Sequence, residues 1–351
     1  MDIRRQFIYD TASTPVASFT TSPTPATGDI PLTVAFTDTS TNSPTSWLWT
    51  IVGGTENVDY VFTVGSATSQ NPTIRFDLPT TYTVTLTATN ASGSDASNPA
   101  TITAEGPPLA GYSYWFRANG LVAGVNNIYG VADGSGNISE TKDLGDSIIT
   151  STQVAGIQQP LLVSGVIGTN LRKCIRFDGS NDDLVINNAD TLTNNAGGAT
   201  IFFVGKTRTG GSLQFPFFIN NGSALGSARF SIDSSAANAW ELRVRRLDAD
   251  GAGVLAGGSS TSAFKIVCGV MDWTNGDGFI YENRALVNSN NALTSSGSTS
   301  ATNSLVSRLG ELNTGNNWAG DAGDYLFYPF ALTQAQVEAV SDWMNEFYGI
   351  Y

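Results

Sequence analysis

The 351-residue chain carries 30 acidic against 17 basic residues, a formal charge of −13, and no histidine. Without imidazole, Ser-His-Asp and Cys-His catalysis and His-ligated zinc are excluded. With no Lys/Arg cluster, a nucleic-acid partner or an anionic membrane surface is not expected.

Residues 1–15 differ in composition from the rest of the chain. Ile3, Phe7, Ile8 and Tyr9 interleave with Arg4 and Arg5. Large apolar side chains on a short segment cost solubility unless a partner covers them. These six residues are therefore expected to form an anchoring arm, a frayed terminus or first strand being the plain alternative. The first 30 residues hold no apolar stretch of the kind that marks a secretory signal, and no run of 18 apolar residues predicts a membrane span.

Residues 16–105 hold 22 threonines and a single basic residue, Arg75. In Tyr82-Thr-Val-Thr-Leu-Thr-Ala-Thr, alternation puts Tyr82, Val84, Leu86 and Ala88 on one face and the threonines on the other. Trp47 and Trp49 share a face of their strand in the same way and are expected in the core. Pro-, Gly- and Asn-rich turns separate the short runs, which predicts an antiparallel sandwich. Pro15-Val-Ala-Ser-Phe19, Pro31-Leu-Thr-Val-Ala-Phe-Thr-Asp-Thr-Ser40, the Trp47-Leu-Trp49 run and Tyr82–Asn90 together resemble a polycystic kidney disease (PKD) domain, an immunoglobulin-like sandwich. The family's Trp-Asp-Phe-Gly-Asp-Gly turn reads Trp47-Leu-Trp-Thr-Ile-Val-Gly-Gly54 here, so roles tied to those aspartates do not carry over. The resemblance implies a spacer or contact module.

Residues 106–109 (Gly-Pro-Pro-Leu) read as a semi-rigid linker. Residues 110–351 alternate short apolar runs with Gly/Asn turns. Strands are predicted at Tyr112–Arg117, Cys174–Phe177, Asp183–Ile186, Thr200–Gly205, Phe215–Ile219, Ala228–Ile232, Trp240–Arg245, Phe264–Met271, Gly278–Tyr281 and Tyr325–Tyr328. Cys174 and Cys268 fall inside apolar runs and read as buried thiols, a single disulfide being the alternative. One helix is predicted near the C-terminus. Thr333 and Gln336 make a capping box, Val337, Val340, Trp343, Met344 and Phe347 share a face, and Gly349 stops it.

Tyr114-Trp-Phe-Arg-Ala-Asn, Ile175-Arg-Phe-Asp-Gly-Ser-Asn-Asp-Asp-Leu184 and the stretch from Asn316 to Leu332 resemble the concanavalin A-like superfamily, in particular laminin-G-like jelly rolls. The likeness is strongest at both ends and weakest between about 120 and 165. The expected fold is thus all-β: an immunoglobulin-like sandwich, then a concanavalin A-like jelly roll with one C-terminal helix.

The glucanases of that superfamily set paired acids on one strand, close enough to act as nucleophile and acid/base. No Glu-x-Asp-x-Glu or Glu-x-Asp-x-x-Glu string occurs, so no catalytic residue is assigned and no enzyme is expected. Gly205-Lys206-Thr207 lacks the first glycine of a phosphate loop. No cofactor is expected, with calcium as the one candidate. Laminin-G-like domains often bind it, and Asp178, Asp182 and Asp183, with Asn181, or else Asp272, Asn275 and Asp277, offer hard oxygen ligands. Ordinary turn chemistry accounts for the same residues. Sugar binding needs an exposed aromatic plane flanked by amide and carboxylate groups. Asn316, Asn317 and Trp318 with Asp321 offer that set, and Trp273 is a second option, against the reading that both tryptophans pack inside.

The resulting expectation is a non-enzymatic bacteriophage virion surface protein, a capsid decoration or head fibre. Its lectin-like domain would present itself to surface glycans, and the arm would dock on a major capsid or other virion protein. A homotrimer or larger ring is expected by analogy with symmetric capsid positions. A tail-fibre component, an exported polysaccharide-binding adhesin and a glycoside hydrolase are the alternatives.

Overall fold

A computed structural model describes residues 13–124, 126–127, 129–144, 149–220, 228–261, 263–299, 306–311 and 316–351. The chain divides into two compact units, Met1–Gly106 and Pro107–Tyr351. The arm residues Ile3, Arg4, Arg5, Phe7, Ile8 and Tyr9 lie outside the described residues.

The N-terminal unit contains β1 (Phe19–Ser22), β2 (Thr27–Asp29), β3 (Leu32–Asp38), β4 (Ser46–Val52), β5 (Tyr60–Val64), β6 (Thr73–Phe76), β7 (Thr81–Asn90), β8 (Gly93–Ala96) and β9 (Ala100–Glu105). One sheet runs β1-β3-β6-β5; the other runs β2-β9-β7-β4, with β8 on β7. Rings from the two sheets meet between them, Phe36 with Trp49 at 5.3 Å and Phe76 with Tyr82 at 4.6 Å. The period-two pattern of β7 has its expected consequence: Tyr82, Val84, Leu86 and Ala88 are buried, and Thr81 and Thr83 are exposed. Trp49 is buried as well. Trp47 is only half-buried, and its indole N–H donates to Asp38 at 2.8 Å.

The C-terminal unit continues with β10 (Tyr114–Arg117), β11 (Asn126–Asn127), β12 (Gly130–Ala132), β13 (Ile138–Lys142), β14 (Thr150–Thr152), β15 (Leu161–Ile167), β16 (Arg172–Asp178), β17 (Leu184–Ile186) and β18 (Gly198–Thr207). Then come β19 (Gln214–Asn220), β20 (Ala228–Ser234), β21 (Ala239–Val244), β22 (Gly253–Ser259), β23 (Lys265–Asp272), β24 (Asp277–Glu282), β25 (Ala285–Asn290), β26 (Ser307–Leu309), β27 (Ala319–Tyr328) and the helix α1 (Gln334–Tyr348). One sheet runs β15-β16-β27-β18-β23-β24-β25, with β10 also on β27; the other runs β11-β12-β13-β14-β17-β26-β19-β20-β21-β22. They pack through aromatic pairs such as Phe203 with Trp240 at 5.4 Å and Phe230 with Phe327 at 5.8 Å. The chain is therefore all-β with one C-terminal helix.

α1 begins as its sequence dictates. The Thr333 side chain accepts from the Gln336 N–H, the Gln336 side chain accepts from the Thr333 N–H, and Gly349 adopts the left-handed conformation at φ 66°. Val337, Val340, Trp343, Met344 and Phe347 are all buried. The helix covers the outer side of the eight-stranded sheet, where Trp343 meets Trp115 at 5.6 Å. That cover explains β27, in which all ten residues are buried. Tyr325 and Phe327 face Phe217 of the opposite sheet, while Asp324 faces Arg117 and Tyr348 on the helix side.

Each of the ten predicted strands overlaps an observed one, while β11 to β15, β22, β25 and β26 have no predicted counterpart. β25 is exposed at every position and so has no alternation to read. β27 begins at Ala319, six residues before the predicted start, because Ala-Gly-Asp-Ala-Gly-Asp lacks the branched and aromatic residues that mark strands. Cys174 and Cys268 are buried free thiols on β16 and β23, which β27 and β18 separate in the sheet.

Candidate functional site

Of the residues singled out for sugar and for calcium, Asn316, Asn317 and Asp178 meet at one end of β16 and β27. Antiparallel pairing sets Asp178, the last residue of β16, opposite Ala319, the first of β27. Beyond them lies an open cleft of about 400 Å3, lined by Asp178, Thr209, Ser212, Gln214, Asn316 and Asn317. Among the described residues, Asp178 is its one charged side chain.

Each wall is held by local hydrogen bonds. Asp178 Oδ1 accepts from the Ser180 N–H at 2.6 Å and the Asn181 N–H at 3.2 Å, so the carboxylate organises its own turn. Asn317 Nδ2 donates to the Ser180 carbonyl, tying the approach to β27 to that turn. Gln214 is buried. Its amide N–H groups donate to the Thr209 carbonyl at 2.7 Å and the Ser212 hydroxyl at 3.1 Å, and its oxygen accepts from the Ala319 N–H at 3.1 Å. The 209–212 loop is thereby fixed to β27. Asn316, Thr209 and Ser212 are exposed, and Asn317 Oδ1 has no hydrogen-bond partner among the described residues.

Trp318 and Asp321 are corrections to the expected sugar platform. Trp318 is fully buried. Its indole N–H donates to Thr207 at 3.0 Å, and its ring packs on Phe177 at 5.4 Å and Phe203 at 5.5 Å. Gly320, two residues on and hence on the same face, makes this possible. A Cβ there would lie 2.0 Å from the indole ring. That Trp-x-Gly spacing was the signal available in the sequence. Asp321 is buried too, with Arg176 Nε at 2.6 Å and Arg208 Nε at 3.5 Å. It is a counter-ion to two arginines and does not line the cleft. Trp273 is likewise fully buried.

The calcium candidates point to separate partners. Asp178 serves its turn. Asp182 Oδ2 accepts from the Asp178 N–H at 2.7 Å, and burial, with Asp178 and Asp183 adding to it, pushes the Asp182 carboxyl up to about 6. Asp183 is fully buried between Arg308 and the Gln153 amide, and burial raises its pKa despite the arginine. Asp272 is occupied at both oxygens by Asn275. Among the described residues, no three acidic or cysteine side chains gather as a metal site. Gln214, Thr209 and Ser212 were not singled out from sequence. They come from a different part of the chain and reach the cleft only through the pairing of β18 and β27.

The arrangement can hold a polar ligand. One carboxylate, amides and hydroxyls surround an open space, and among the described residues no second acid lines it.

Residues 12–104 match the family model described as PKD domain. No curated protein matches the chain. Among solved structures, the chain is similar to the Ruminococcus gnavus IT-sialidase CBM40 bound to alpha2,3 sialyllactose, at 16% identity and TM-score 0.38 over 51% of this chain and 95% of that one. It is similar to the binding domain of Paraclostridial Mosquitocidal Protein 1, at 14% identity and TM-score 0.45 over 66% of this chain and 52% of that one. A third likeness is to the Botulinum neurotoxin serotype G binding domain, at 11% identity and TM-score 0.40, covering 56% and 48% of the two chains. Identities this low leave the ligand to be argued from this chain's own residues.

Proposed function

We propose that the chain is a non-catalytic glycan-binding protein of a bacteriophage virion surface. Its C-terminal sandwich is read as a concanavalin A-like, laminin-G-like lectin domain that presents the Asp178–Asn316 cleft to host or environmental glycans. The observation that carries glycan binding is the cleft's lining among the described residues: a single carboxylate with amides and hydroxyls, open to solvent. Such groups match the paired donors and acceptors of sugar hydroxyls. With no stacking ring among the described residues that line the cleft, the affinity is weak per site and gains from many copies on one particle.

In this reading the PKD domain is a spacer, and Ile3, Arg4, Arg5, Phe7, Ile8 and Tyr9 dock on a major capsid or other virion protein. A capsid decoration or head fibre, arranged as a homotrimer or larger ring, is the preferred setting, because symmetric capsid positions favour closed rings. The apolar-basic composition of the arm, the pairing of two sandwiches and the charge of −13 support it.

Glycan binding is tested by calorimetry of the full chain against a panel of neutral and acidic oligosaccharides, with and without calcium. Binding that falls at least tenfold in Asp178→Asn and Asn316→Ala, at unchanged melting temperature, supports the cleft. Calcium-dependent binding whose calcium dependence is lost in Asp178→Asn would assign the ion to Asp178. Release of reducing ends that is lost on removing one carboxylate would overturn the non-catalytic reading. The setting is tested by immunogold electron microscopy of the source culture with antibody against residues 110–351. Gold on particle heads supports decoration and gold on tails a fibre. Gold on cells with bare particles makes the protein an exported adhesin.

A further inference from the structure

The N-terminal unit carries a second concavity, unrelated to the Asp178 cleft. It is a groove of about 360 Å3 between β1 and the segment that joins β8 to β9. Its volume lies within the range of small-ligand sites. Phe19, Thr20, Thr21, Thr24, Ser97 and Asn98 line it, and among the described residues no charged side chain does.

Phe19 supplies an apolar surface. The ring is partly exposed and is held from behind by Trp49, edge-on at 5.0 Å, and by Phe36 at 5.9 Å. The main chain adds polar groups. β1 is the end strand of its sheet. The Ser18 carbonyl accepts from Thr39, and Phe19 stands opposite Asp38. Since bonded and non-bonded pairs alternate along an antiparallel ladder, the N–H and C=O of Phe19 turn away from β3, toward the groove. A ring floor, hydroxyl and amide walls and an outward-facing peptide group together form the recognition set of a sugar: apolar C–H face below, hydroxyls at the rim.

We propose that this groove is a saccharide site for a neutral, hydroxyl-rich sugar, independent of the cleft on the C-terminal unit. Neutrality is set by the surroundings. The Asp95 carboxylate accepts from the Ala17 N–H at 2.8 Å on the groove wall. Arg75, the one basic residue between 16 and 105, is engaged by Asp77 at 2.8 Å. Among the described residues, an acidic sugar would find a carboxylate behind the wall at Ala17 and no cation lining the groove. An added peptide strand is disfavoured because β1 spans four residues and Pro23 and Pro25 come directly after it, without N–H donors.

The test is titration of the full chain, carrying 13C-labelled threonine methyls, with cellohexaose, xylohexaose and mannohexaose, and with oligogalacturonate as the acidic control. Saturable shifts at Thr20, Thr21 and Thr24 are expected with a neutral hexasaccharide and not with oligogalacturonate. The Thr21→Val/Asn98→Ala double variant, which removes a half-buried hydroxyl and an exposed amide from the groove wall, weakens the shifts about tenfold at unchanged melting temperature. Asn316→Ala leaves them as they are, so failure of the C-terminal cleft and failure of this groove read out separately. Silence of these methyls with every neutral hexasaccharide at millimolar concentration overturns the proposal. So do equal shifts with oligogalacturonate, or shifts produced only by a strand-forming peptide.

Discussion

Arg117 and Asp324 stand directly opposite one another on β10 and β27 and form an ion pair in which both side chains are fully buried. Arg117 Nε and Nη2 each lie 3.0 Å from Asp324 Oδ2, and the Tyr348 hydroxyl donates to Asp324 Oδ1 at 2.5 Å. The guanidinium also sits 3.8 Å from the Phe347 ring centroid and 4.7 Å from that of Trp343. One charge pair thus joins the first strand of the C-terminal unit, its last strand and its helix.

Removing one partner leaves the other charge buried, which costs about 3–5 kcal/mol, whereas replacing both by apolar groups is often neutral. Arg117→Met is therefore expected to lower stability by that amount in urea unfolding. Arg117→Met with Asp324→Leu should recover most of it. A double variant as unstable as the single one would mean that the cation–ring contacts, not the charge pair, hold the helix down.

Trp318 packs between Phe177 and Phe203 and fills the space that Gly320 leaves open. Truncating a buried tryptophan costs about 3–5 kcal/mol. Trp318→Ala is expected to lose that stability while glycan affinity per folded molecule stays constant, measured by calorimetry below the new melting temperature. Lost binding without lost stability would return Trp318 to the ligand site.

Asp182 gives the C-terminal unit a pH signature. Burial raises its carboxyl to about 6 from the ordinary 3.8. The fold thus favours the protonated form, and the stability it contributes is full below pH 3.8 and is lost as pH rises through about 6. The sign is opposite to that of a salt-bridged aspartate. Asp182→Asn keeps an oxygen to accept from the Asp178 N–H and cannot ionise. It is expected to stabilise the unit by about 1–3 kcal/mol at pH 7.5 and to have little effect at pH 4. Equal effects at the two pH values would show that Asp182 does not titrate in this range.

Thr333 caps the one helix. Thr333→Ala should cost about 1 kcal/mol. Thr333→Ser should cost less, because it keeps the accepting oxygen. Thermal unfolding followed at 222 nm would distinguish the two.

Much of the architecture is local chemistry and could be read directly. The alternation in Tyr82–Thr89 sets a buried and a wet face wherever that strand pairs, and the residues of the Thr333–Gln336 capping box and Gly349 fix both ends of α1. The absence of histidine and of a Glu-x-Asp-x-Glu or Glu-x-Asp-x-x-Glu string, both plain in the sequence, bounds the chemistry.

The fate of individual polar and aromatic side chains was decided by partners far away in the chain. Asn316, Asn317, Trp318 and Asp321 are nearly contiguous, yet the two asparagines reach the cleft while Trp318 and Asp321 do not. Strand direction sends Trp318 to Gly320's side, into the core, and Asp321 toward Arg176 on β16, 145 positions away. Thr209, Ser212 and Gln214 gained their place from the pairing of β18 with β27, which no local pattern encodes. Burial of β27 on both faces likewise needed the helix and the opposite sheet. Periodicity is a property of neighbours in sequence, and the sequence by itself determined that much. Which side of a buried strand meets water, and which meets an arginine, is a property of neighbours in space, and only the tertiary structure decided it.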